Sequence, residues 1–187
     1  MIQDTDIQKG DILISKPSIL GDVTFNRSVI LIADNNAEGV VGFIINKPLE
    51  DNLQDLLPNV ERNFKVFDGG PVERDKLYFI HNAPELIKDG LKISDDIFWG
   101  GHHDDVIGLI NKGQLDNSQI KFFLGYTGWA QSQLVDEIKE QAWLKHSEMK
   151  TREIIKCDTA SFWNQKMKTL GGQYLIWSNA PENPNYN

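Results

Sequence analysis

Two continuous apolar runs constrain this chain more than any other feature. Ser28-Val29-Ile30-Leu31-Ile32-Ala33 and Val40-Val41-Gly42-Phe43-Ile44-Ile45 are rich in β-branched residues, and between them lies Asp34-Asn35-Asn36-Ala37-Glu38-Gly39, a polar cluster ending in glycine. The pattern predicts a hairpin. A strand with one wet face alternates apolar and polar residues, whereas these runs are apolar at both parities, so both faces must be covered. The hairpin is therefore expected at the centre of a sheet with helices packed over it.

The remaining elements are read around that centre. Gly10-Asp11-Ile12-Leu13-Ile14-Ser15 predicts a short strand halted at Lys16-Pro17, because proline cannot donate to a ladder. Residues 51–57 predict a short helix stopped by Pro58. Phe64 to Phe67 and Lys76 to His81 predict two strands joined across Asp68-Gly69-Gly70-Pro71-Val72. Asp104 to Lys112 predicts a helix closed by Gly113, and Gln119 to Tyr126 a strand in which Ile120, Phe122 and Leu124 alternate. The strongest helical pattern runs from Trp129 to Leu144, with Leu134, Ile138 and Ala142 in one row and Thr127 as its N-cap. A second helix is expected over Thr159 to Leu170, ending at Gly171-Gly172, and a last strand over Gln173 to Trp177. Strands thus dominate the first two thirds and helices the remainder, which predicts the α+β class. No linker-like stretch divides the chain, so residues 1–178 read as a single domain with a large mixed β-sheet flanked by helices. Residues 179–187, with two prolines and four asparagines, read as a flexible C-terminal tail.

Charge excludes several function classes. Nineteen Lys and Arg against 27 Asp and Glu give 19 − 27 = −8. Residues 1–130 hold 12 basic and 20 acidic side chains, and the remainder holds seven of each. Such a surface does not attract phosphate backbones or anionic lipid. Neither a helix-turn-helix pattern nor a basic recognition helix is visible, since Trp129 to Leu144 carries Asp136, Glu137 and Glu140 against Lys139. The single cysteine, Cys157, excludes an intramolecular disulfide and suits a reducing cytoplasm. No secretory leader is expected after the acidic start Met1 to Asp6, and no apolar stretch approaches the ~20 residues of a membrane-spanning helix.

Four local constellations could carry chemistry. His102-His103-Asp104-Asp105 contains metal-ligating types, but neighbouring side chains diverge, so the favoured reading is a solvated helix start and no metal is expected. Asp68-Gly69-Gly70-Pro71-Val72 could offer exposed amides to an anion, or could be a plain chain reversal. Gly125-Tyr126-Thr127-Gly128-Trp129, as a strand, a glycine-bearing turn and a helix start, could bind an anion or serve close packing. Arg27, Asn46 and His81 could together form a hydrolytic site, with Arg27 on a carboxylate or phosphate and His81 as base. Cys157 has no evident activating base and reads as a quiet thiol. No nucleophile elbow, Walker loop or dinucleotide fingerprint occurs.

Taken together, these segments resemble the YqgE/AlgH family of bacterial proteins from Gly10 to about Trp177. The carriers are Gly10 to Pro17, Phe25-Asn26-Arg27-Ser28-Val29-Ile30-Leu31-Ile32 and Gly39 to Pro48. They continue with Gly69-Gly70-Pro71-Val72 followed by His81, then Gly125 to Trp129 with Gln133-Leu134 and Glu137, then Trp143-Leu144, and Trp163 ahead of Leu170-Gly171. Gln131 and Ser132 depart from the small residue and glycine that many relatives have there. The resemblance implies an α+β fold with a large mixed sheet. Members are labelled transcriptional regulators, and the resemblance brings no catalytic residue and no cofactor.

The reading ranked first is a cytoplasmic, non-enzymatic regulatory or binding protein whose partner is a small anion or another protein. Its candidate ligand-binding residues are Arg27, Asn46, Gly69, Gly70, Gly125, Thr127, Gly128 and Trp129, with no catalytic residue assigned. The hydrolase at Arg27, Asn46 and His81 and a direct DNA-binding regulator are the alternatives.

Overall fold

A computed structural model describes residues 5–17, 22–146 and 149–179. The apolar runs form the hairpin of β2 (Val29–Asn36) and β3 (Gly39–Ile44), with Asn36 opposite Gly39 and a register shift between Ile32 and Asp34. The polar cluster read as a loop therefore belongs mostly to the strands, and Ala37-Glu38 makes the turn. Both faces are covered as expected. Val29, Leu31, Ala33, Phe43 and Ile45 enter one core cluster, while Ile30, Ile32, Val40 and Ile44 enter another on the opposite face.

β1 (Ile12–Ser15) pairs with β2 on one side and with β10 (Trp143–His146) on the other, Ser15 lying opposite Trp143. β4 (Pro48–Asn52), α1 (Leu53–Leu56) and β5 (Lys65–Asp68) follow the hairpin. Next come β6 (Val72–His81), the two short strands β7 (Leu91–Lys92) and β8 (Phe98–Trp99), α2 (His103–Asn111) and β9 (Ile120–Trp129). The described sheet has ten strands in the order β10-β1-β2-β3-β9-β6-β8-β7, with β5 against β9 and β4 against β5. Among the described strands only β5 and β9 pair in parallel, so the sheet is mixed and the class is α+β.

The C-terminal third departs from the expected helices. β9 runs through Gly125-Tyr126-Thr127-Gly128-Trp129 as strand, Ala130 caps α3 (Gln131–Lys139), and Trp143 begins β10. The long helix over Trp129 to Leu144 is thus three elements, although Leu134 and Ile138 are buried on one helical row as read. α4 (Thr151–Lys156) was not foreseen, α5 (Phe162–Leu170) ends at Gly171 as expected, and Tyr174 to Ser178 is the helix α6 instead of a strand. Asn179 is the C-cap of α6, and the rest of the expected tail, 180–187, lies outside the described residues.

Glu137 explains why α3 docks where it does. Its Oε2 accepts the indole N–H groups of Trp129 (3.0 Å) and Trp143 (2.8 Å), while Oε1 accepts from Gln133. One carboxylate thereby ties the end of β9 to the start of β10. Replacement by alanine leaves two indole donors without that partner, and hydrogen bonds to charged groups are each worth about 1.5–3 kcal/mol. We expect Glu137→Ala to lose about 2–4 kcal/mol in urea unfolding, with Glu137→Gln intermediate because its amide oxygen still accepts.

Candidate functional site

The segments picked out by sequence meet along the chain that follows β3, where Ile44 donates to the Gly69 carbonyl (3.0 Å) and Lys47 accepts from the Asp68 amide (2.8 Å), on either side of Asn46. Asp68 is the last residue of β5 opposite Leu124, and Val72 is the first of β6 opposite Tyr126, on the other side of β9. Gly69, Gly70 and Pro71 therefore carry the chain across β9. Gly69 donates to the Leu124 carbonyl (2.8 Å) and accepts from the Ile44 amide (3.0 Å), so β3 takes over from β5 along β9 at this fork. A Cβ on Gly69 would stand 2.2 Å from the Gly125 carbonyl oxygen, and one on Gly70 2.4 Å from Tyr126 main-chain atoms. The glycines meet backbone to backbone, and the contact leaves no space between them for a ligand. Thr127 is buried opposite Gly42, and its hydroxyl has no hydrogen-bond partner among the described residues. Gly128 pairs with Val41, and Trp129 is buried against Phe25 and Trp143.

Arg27 and Asn46 lie beside this crossing, with the Asn46 side chain turned to the start of β2. Asn46 Oδ1 accepts from the Val29 amide (2.8 Å) and its Nδ2 donates to the Arg27 carbonyl (2.9 Å), which pins the start of β2. The Arg27 guanidinium lies 5.3 Å from the centre of the Trp163 ring. His81 is held elsewhere, at the end of β6. Its Nε2 lies 3.1 Å from the Gly100 carbonyl, and Nδ1 accepts from the Ala83 amide (3.2 Å), an arrangement that fixes a neutral tautomer. Burial lowers its pKa, which favours the same neutral form. At the start of α2, His102 reaches Asp89 (2.8 Å) while His103 packs its edge on Phe79. Among the described residues no three His, Cys, Asp or Glu side chains are grouped as a metal site requires.

A cavity of about 720 Å³ is lined by none of these candidate residues. Alternation along β5 and β9 builds its floor. Lys65 and Phe67 share one face of β5, Lys121 and Phe123 share the same face of β9, and the register of Val66 with Phe122 sets Lys65 beside Lys121. α4 packs over this face through Ile154. Cys157, its C-cap, turns a main-chain carbonyl toward the floor, and Lys121 Nζ donates to that oxygen. The same nitrogen stands 3.5 Å from the centre of the Phe67 ring. Both contacts favour the ammonium, since a helix C-terminus carries partial negative charge and a ring face attracts a cation, and desolvation opposes them.

Lys121 is only 3% exposed. Desolvation lowers its pKa to about 7, against the upward pull of Cys157 and Asp158, and the charge of Lys65 adds a smaller downward push. No carboxylate lies within ion-pair distance of it among the described residues; Asp158 pairs instead with Lys65, at 3.7 Å. Burial pushes the Cys157 thiol up to about 11, so it stays protonated and unreactive near neutrality. Asn52, Asn63, Asp116, Asn117 and Lys156 complete the polar rim. The rim is braced, because Asn117 donates to the Asn63 carbonyl (3.3 Å) and Asp116 accepts from the Ser118 amide (2.7 Å).

Lys121 was not among the residues read as functional. The alternation of Ile120, Phe122 and Leu124 puts Lys121 on the other face of β9, and Phe123 on that same face signals a strand covered on both sides. A lysine in such a strand must be buried.

Comparison with known proteins agrees with the architecture. Residues 12–175 match the AlgH-like family. A UPF0301 protein of Cytophaga hutchinsonii is 36% identical over 185 residues, covering 97% of this chain and all of that one. The AlgH protein from Pseudomonas aeruginosa, at 22% identity, superposes with a TM-score of 0.70 over 97% of this chain and 98% of its own. A protein of Corynebacterium diphtheriae, at 17% identity, reaches 0.76 over 96% and 95%. The length of these matches and their identity to curated relatives lead to one conclusion: the chain belongs to the AlgH-like family.

Proposed function

We propose that this protein is a cytoplasmic, non-enzymatic binding protein whose effector is a small anion held in the Lys121 cavity. Any influence on transcription then passes through that ligand or a protein partner, without contact to DNA. The observation that carries the reading is the cavity itself. Lys65, Lys121 and Lys156 outnumber Asp116 and Asp158 there, on a chain whose net charge is −8. Its volume lies in the usual range for small-molecule sites, and side-chain amides and a hydroxyl on the rim supply directional hydrogen bonds. The hydrolase reading has less support, because the polar atoms of Asn46 and His81 are already engaged by the main chain. The glycines at the fork support packing more than binding.

Calorimetric titration with phosphate, lactate and succinate near neutral pH tests the proposal. One of these anions is expected to bind saturably, and Lys121→Met to weaken binding at least about tenfold, the size of one lost charge-assisted hydrogen bond. Heat indistinguishable from dilution for every anion would contradict it. With labelled duplex DNA at physiological salt, we expect no binding tighter than roughly 10⁻⁴ M and no sequence preference, because no basic stripe offsets the acidic surface. Sub-micromolar, sequence-dependent binding would restore direct DNA recognition.

A further inference from the structure

We propose that Lys121 captures a small oxo acid, a carbonyl compound with an adjacent carboxylate, as an imine within the cavity; this deepens the anion-site reading and rests on it. The geometry supplies each requirement. The nucleophile is the primary amine of Lys121, a residue that lines the cavity, with the Cys157 carbonyl oxygen and the Phe67 ring face for neighbours and the Asp158 carboxylate at ion-pair distance from Lys65 instead, its charge outweighed by desolvation of Lys121. Burial favours the free base, the form in which lysines attack carbonyl carbon. Lys65 lines the same cavity from the adjacent parallel strand, where the main chains run about 4.8 Å apart, and its ammonium reaches Asp158 at 3.7 Å. A cavity lined by lysines suits a ligand that carries a carboxylate beside its carbonyl. Lys65 holds the carboxylate, and Lys121 receives the carbonyl.

The reaction needs no further reagent. Lys121 nitrogen bonds to the carbonyl carbon, and one amine proton passes to the oxygen to give a carbinolamine. The carbon–oxygen bond then breaks, and the hydroxyl leaves as water with the second amine proton. A carbon–nitrogen double bond remains. Nothing is oxidised or reduced.

Reductive trapping on the full chain tests this. Glyoxylate with cyanoborohydride converts an imine to a stable carboxymethyl-lysine, which peptide mass mapping locates. We expect the peptide holding Lys121 to be modified at least about tenfold faster than any exposed lysine, which is almost fully protonated near neutrality. Its rate should climb as pH passes through about 7, where the Lys121 amine loses its proton. Lys121→Met should abolish that fast product. The pH profile is measured on the native protein, so the conclusion stands even if the variant fails to fold. Modification confined to exposed lysines, or at Lys121 no faster than at them, overturns the inference. Lactate separates the two claims, since it carries a carboxylate and no carbonyl. Saturable lactate binding without trapping at Lys121 removes the imine and keeps the anion site, whereas absence of both removes both.

Discussion

Gly70→Ala is expected to lose about 2–6 kcal/mol of folding stability. Gly70 has φ +147, where a side chain is strained, and a Cβ there would lie 2.4 Å from the carbonyl carbon and oxygen of Tyr126. Both atoms are main chain in the middle of β9, so neither can turn aside. Backbone strain of about 1–3 kcal/mol adds to an overlap that only separation of two strands can relieve. The sum is about 2–6 kcal/mol, against a total stability of roughly 5–15 kcal/mol for a domain. Gly108→Ala is the control. Gly108 lies in α2 with nothing within 4 Å of its Cβ position. There alanine should stabilise by about 0.5–1 kcal/mol through helix propensity. Urea unfolding of both variants checks the pair, and a Gly70→Ala protein as stable as the parent would show that β9 is not crossed as described.

The second large effect is on pH dependence. The pKa of Lys121 is lowered to about 7 in the folded protein, from 10.5 for an ordinary lysine. Between those values the unfolded chain binds the proton and the folded chain releases it, so stability rises with pH. Below about 7 both states are protonated, and the cost of burying the ammonium is fully present. From about pH 7 to 9 the expected gain is roughly 2–3 kcal/mol, at 1.36 kcal/mol per unit. Cys157 opposes this above 9, because its raised pKa of about 11 keeps the folded thiol protonated after the unfolded one ionises. The gain therefore belongs to the interval from 7 to 9. Chemical unfolding at those two values should show it in the parent, and Lys121→Met should show little. Equal pH dependence in both proteins would mean that the Lys121 amine is solvated.

Much of this fold was legible because local pattern and tertiary role coincide. The runs at 28–33 and 40–45 are apolar at both parities, and the structure buries them on both faces of the sheet. Gly113 and Gly171 close helices where their positions suggested. The misreadings arise where elements abut without a loop. Ala130 alone separates β9 from α3, so no loop marks where the strand ends and the helical row of Leu134 and Ile138 begins. The motif Gly69-Gly70-Pro71 has the composition of a turn, and its real role, crossing β9, depends on a strand more than 50 residues later in the chain. The cavity was illegible for the same reason. Lys65, Lys121 and Cys157 come together only through the parallel pairing of β5 with β9 and the packing of α4 above it.

The central claim, that function resides in the Lys121 cavity and not at the glycine fork, is tested most directly by amide chemical-shift mapping. Uniformly labelled protein would be titrated with the anion that gives the tightest calorimetric isotherm. Perturbations that saturate together over Asn63 to Phe67, Asp116 to Lys121 and Ile155 to Asp158 are the predicted result. Perturbations centred on Gly69, Gly70 and Gly125 to Trp129, with the Lys121 amide unmoved, would contradict it.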